Sequence, residues 1–108
     1  MPLTDAQVRL VVGVWNQRSN LVYDIDWVAR RLAVMTNAAA LGGPILEVLR
    51  DAINEGYLYV DQIRALNAFS GFRAMVGLTP SGRAVWAEVY PTLAANESQS
   101  EPATGRQW

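Results

Sequence analysis

The side chains able to do chemistry in this chain are carboxylates, tyrosines, hydroxyls and arginines. Cys and His are absent, and all nine basic residues are Arg, so Lys is absent as well. Without thiolate or imidazole there is no disulfide framework and no zinc site of the usual donors. Without His, no Ser–His or Cys–His pair can activate a nucleophile. A phosphate loop of the Walker type would lack its Lys. Glu47, Asp51 and Glu55 follow one another at helical spacing and share a face. Carboxylates strung along one helix do not converge on a point, so they read as a solvated or partner-facing stripe, not a metal site. The chain is therefore expected to be no enzyme and to need neither cofactor nor metal.

The elements that must carry these groups fit one domain. The chain has 108 residues, of which 51% are hydrophobic and 18% charged, enough apolar surface for a core. Thr4 and Gln7 form a capping box ahead of a first helix carrying Val8, Val11, Val12 and Trp15. Leu21-Val22-Tyr23 is a very short apolar stretch. Asp24 or Asp26 caps a second helix through Trp27, Val28 and Leu32, with Arg30 and Arg31 on its outer side. Thr36 or Asn37 can cap one turn over Ala38-Ala39-Ala40-Leu41 before Gly42-Gly43-Pro44 interrupts it. Pro44 opens a third helix, and Gly56 closes it in a left-handed conformation.

Tyr57-Leu58-Tyr59-Val60 reads as a strand, with Ala74-Met75-Val76-Gly77-Leu78 as its partner and residues 64–73 as a loop or wing. Thr79-Pro80 starts a last helix with Trp86, Val89 and Tyr90 on its apolar side. From residue 94 the composition turns polar. The expected organisation is thus a domain over residues 1–93 and a disordered tail over 94–108. The longest charge-free run, Leu32 to Leu46, is too short and too interrupted for a membrane span. No signal segment stands out, and the expected location is cytoplasmic.

The expected architecture is mostly α with a small antiparallel β-wing, an α+β arrangement in the order α-β-α-α-β-β-α. Three stretches resemble winged helix-turn-helix domains of the MarR and PadR regulators. They are Trp27-Val28-Ala29-Arg30-Arg31-Leu32, the run from Ile45 through Gly56-Tyr57-Leu58, and Leu78-Thr79-Pro80-Ser81-Gly82-Arg83. The resemblance covers roughly residues 4–90. It implies a DNA-binding protein, a transcriptional regulator or phage-like accessory factor, whose third helix enters the major groove while the wing touches phosphate. It also implies a homodimer, for which the first and last helices offer Val11, Val14, Trp15, Trp86, Val89 and Tyr90.

Charge places the candidate contacts. Over residues 33–62, Arg50 stands against Glu47, Asp51, Glu55 and Asp61, whereas Arg64, Arg73 and Arg83 outnumber Glu88 over residues 63–93. Phosphate binding needs cations, and the third helix is acidic. On the winged-helix resemblance, the candidate contacts to double-stranded DNA are Arg30, Arg31, Arg64 and Arg73 for the backbone, Thr36 and Asn37 at the N-terminal end of the third-helix region, and Asn67 in the wing. Between Leu32 and Ile45 the chain is longer than a tight turn requires. Either the third helix begins early and kinks at Gly42-Gly43, or an apolar loop is inserted. The alternative function is a winged-helix protein–protein interaction module. It would present Leu41 of the 38–43 segment together with Glu47, Asp51 and Glu55 to an unidentified protein.

Overall fold

The computed structural model describes residues 2–67 and 71–97. Chain order is α1 (Asp5–Val12), β1 (Tyr23–Asp24), α2 (Ile25–Met35), α3 (Ala38–Leu41), α4 (Ile45–Asn54), β2 (Leu58–Asn67), β3 (Gly71–Leu78) and α5 (Pro80–Val89). Residues 91–97 are helical again. The protein is mostly helical with one three-stranded antiparallel sheet in the order β1-β3-β2, an α+β arrangement.

Local chemistry sets the boundaries. The Thr4 hydroxyl accepts from the Gln7 N–H, and the Gln7 side chain accepts from the Thr4 N–H at 2.8 Å, completing the capping box of α1. The Asp24 carboxylate caps α2 by accepting from the Asp26 N–H at 2.8 Å. At the end of α4, Gly56 takes φ +85°, a conformation open to glycine at little cost. The Gly56 and Tyr57 N–H groups then close on the Ile53 and Ala52 carbonyls as a Schellman turn.

The core lies where all helices meet the sheet. Val8, Val11, Val12 and Trp15 pack with Val28 and Leu32, Leu41, Val48, Leu49 and Ala52, Leu58, Val76 and Leu78, and Trp86. α5 is pinned across the end of α1, where helical carbonyls run out of partners. The Trp86 indole N–H donates to the Trp15 carbonyl, and the Tyr90 hydroxyl donates to the Gly13 carbonyl at 3.1 Å. These contacts use up most of the surface expected to pair two copies: Val11, Val14, Trp15 and Trp86 are buried inside a single chain.

Two boundaries differ from the sequence expectation. The strands are longer than expected, and of the residues read as a loop or wing, 64–67 and 71–73 belong to the β-ladder. Residues 94–97, expected in the polar tail, are helical. Glu97 accepts from both the Ser19 N–H and the Ser19 hydroxyl at 2.8 Å, which satisfies the buried Ser19. Residues 98–108 of the expected tail lie outside the described residues.

The stretch between α2 and α4 forms a separate helical turn, α3, ended by Gly42 at φ +90°. Its Leu41 is fully buried, worth roughly 2 kcal/mol in apolar area. Among the described residues no single helix is long and apolar enough to cross a membrane.

The hairpin is joined to the helices at its base. The Thr79 N–H donates to the Tyr57 carbonyl at 3.1 Å, the Thr79 hydroxyl donates to the Gly56 carbonyl, and the same oxygen accepts from the Gly82 N–H at 3.1 Å. A Cβ at position 82 would lie 2.2 Å from the Tyr57 carbonyl oxygen, so α5 seats only with glycine there. Replacing Gly82 by Ala should cost about 3 kcal/mol. Thermal melting should show a fall in Tm of more than about 10 °C, while Ser81→Ala, at an exposed neighbour, should leave Tm near its original value.

Candidate functional site

The seven candidate nucleic-acid contacts divide between two places. Arg30 and Arg31 stand on α2, Arg30 exposed and Arg31 half-buried. Thr36 ends α2, its N–H donating to the Leu32 carbonyl at 2.9 Å. Asn37 is exposed, and its side-chain oxygen accepts from the Ala40 N–H at 2.8 Å, so that oxygen is committed to capping α3. Arg64, Asn67 and Arg73 lie on the hairpin, where Arg64 is the direct ladder partner of Arg73 and Asn67 of Gly71.

β1 pairs only with Met75 and Val76, so the rungs from Ile63–Ala74 outward form a two-stranded ribbon beyond the sheet. Asp61 marks a register shift between Val60 and Gln62. A β-bulge of this kind bends and twists its strand.

The acidic alternative site changes most. Leu41 is a core residue and cannot face a partner. Glu55 accepts the Leu3 N–H on both carboxylate oxygens, at 2.9 and 3.1 Å, so this acid ties the start of the chain to the end of α4. Glu47 is exposed and Asp51 half-buried. Beside Glu47, Leu46 is 64% exposed, and Arg50 shares the exposed surface of α4.

A second constellation escapes a reading of the sequence alone. Tyr23 of β1 lies between two indoles, its ring 5.4 Å from that of Trp15 and 4.5 Å from that of Trp27. Trp15 is buried, its indole N–H donating to the Leu21 carbonyl at 2.7 Å, whereas Trp27 remains 44% exposed. Asn16, Gln17, Tyr23, Trp27 and Arg31 together line a cleft of about 350 Å³. Burial pushes the Tyr23 phenol above its ordinary value. Trp27 and Arg31 are four residues apart on one helix, a spacing that puts them on one face. That pair is legible in the sequence; Asn16, Gln17 and Tyr23 come to it only through the fold.

No protein-family model matches the chain, and a search of curated proteins finds no match.

The turn carrying Thr36 and Asn37 depends on its cap. Asn37→Ala should destabilise the protein by about 1 kcal/mol, read as a Tm lower by roughly 4–8 °C. Asn37→Asp, which keeps the acceptor, should restore most of it. Equal melting of Asn37→Ala and the parent would show that α3 does not rely on this bond.

Proposed function

We propose that this chain is a winged-helix protein that binds double-stranded DNA, acting as a transcriptional regulator or a phage-like accessory factor. The observation that carries the reading is the ladder pairing of Arg64 with Arg73. Like charges directly opposite one another destabilise an antiparallel pair. A phosphate backbone relieves that repulsion and releases its own counterions in the process. The element order also supports it: a short strand before α2, then α4, then a hairpin whose second strand lies between the other two.

In this reading the ribbon is the wing and grips the backbone. Arg30, the half-buried Thr36 and the exposed Asn37 supply further backbone contacts, and α4 approaches the groove with Leu46 and Arg50. Phosphate contacts of this kind position a protein on the duplex without reading sequence.

Binding to a random duplex should be measurable at low ionic strength and weaken steeply with salt. Arg64→Ala and Arg73→Ala should each lower affinity by a similar factor on unrelated sequences. Each should also flatten the log–log salt slope by about 0.9 for every phosphate no longer neutralised. No binding at low ionic strength overturns the proposal, and an unchanged slope removes the ribbon from the interface.

The exposed Leu46 beside Glu47 favours a second reading, a protein-interaction module using α4. It requires Leu46, Glu47 and Asp51 and no longer involves Leu41. Under it the duplex experiment gives no binding.

A further inference from the structure

We propose that the cleft between the end of α1, β1 and α2 binds an unpaired adenine nucleotide. This goes beyond duplex binding and does not depend on it. The cleft's volume of about 350 Å³ is at the small end for ligand pockets, room for one nucleotide and too little for a duplex. Two of its five lining residues, Tyr23 and Trp27, are aromatic. Tyr23 covers one side of the Trp27 ring at 4.5 Å with 30° between planes, and the indole is still 44% exposed. An indole stacked on a second ring and exposed to this extent offers aromatic surface to a nucleobase, since every base has a π-face.

The polar groups around these rings are unspent. The side chains of Asn16, Gln17, Trp27 and Arg31 have no hydrogen bond or ion pair to another described residue. Arg31 supplies a fork of donors suited to phosphate. Asn and Gln amides can pair in bidentate fashion with the N6 and N7 edge of adenine. Aromatic surface, cation and amides together match a base that carries a phosphate. An isolated ring would leave Arg31 unused, and inorganic phosphate would leave the indole bare.

A free mononucleotide and a base in a single strand share this chemistry, so the full chain is titrated separately with AMP and with a single-stranded deoxyadenosine oligomer. Tryptophan fluorescence and the side-chain amide resonances of Asn16 and Gln17 report binding. AMP should quench saturably and shift both amides. Adenosine, lacking the phosphate, should bind at least about tenfold more weakly, and UMP at least about fivefold more weakly. Arg31→Gln should bring AMP down to the adenosine level with a Tm close to the parent's. Trp27→Ala should weaken AMP binding at least about fivefold, in a protein whose Tm falls by several degrees as the stack on Tyr23 is lost.

Oligomer binding that Arg31→Gln abolishes, without AMP binding, supports the proposal and assigns the ligand to a strand. Saturable AMP binding supports it and assigns a free nucleotide. Absence of both, or AMP binding undiminished in a folded Arg31→Gln variant, overturns it. Because no duplex is used, failure here leaves the Arg64–Arg73 reading standing, and failure there leaves the cleft intact.

Discussion

At the base of the hairpin the Tyr57 carbonyl sits between the exit of α4 and the entry of α5, and both must close on it. It accepts the Thr79 N–H at 3.1 Å, and the missing Cβ of Gly82 leaves the space that it occupies. The preceding carbonyl, Gly56, takes the Thr79 hydroxyl. One oxygen and one hydroxyl therefore determine where β2 starts, where β3 stops and how α5 leaves. Register follows: Leu58 faces Leu78, Val60 faces Val76, and past the bulge Arg64 faces Arg73. A slip of one residue would send the core positions to the opposite face and separate the arginine rung.

α5 transmits that constraint to the far side of the protein. Starting at Thr79, it brings Trp86 and Tyr90 onto the carbonyls of Trp15 and Gly13 just past α1. Trp15 in turn orients Tyr23, and Tyr23 supports Trp27. The chain of contacts runs from the hairpin base through α5 to the aromatic cleft. The ribbon's base and the cleft are thus held by one core.

Much of this is legible in the residues themselves. Thr4 with Gln7, Asp24, Asn37, Gly56 and Thr79-Pro80 are local signals, and each marks its element end. The strand lengths are not legible, because the Asp61 bulge breaks the alternation that marks a strand, and residues 62–67 are held by cross-strand pairing. Leu41 reads as a surface residue because a four-residue turn has too little periodicity to show a face. Its burial is decided by α1, where the Gln7 amide donates to the Leu41 carbonyl at 3.0 Å from 34 residues away. Trp27 is the opposite case. Helical spacing alone puts it among core residues, yet its ring leans on Tyr23 and stays half open.

The charge total is equally silent about layout. A net charge of −1 suggests indifference to polyanions, but a total has no position. Glu55, counted among the acids of the third helix, is engaged with the Leu3 N–H, and Arg9 bridges Glu88 at 3.6 Å. The arginine rung lies two rungs beyond the last one shared with β1, about 7 Å along the ribbon. That distance is comparable to the screening length of about 8 Å at physiological salt. Two acids lie on the sheet side of that rung, Asp24 opposite Met75 and Asp61 at the β2 bulge. Under the proposed duplex contact, Arg64 and Arg73 act beside Asp24 and Asp61, and the hairpin register fixed at the Tyr57 carbonyl sets which acids those are.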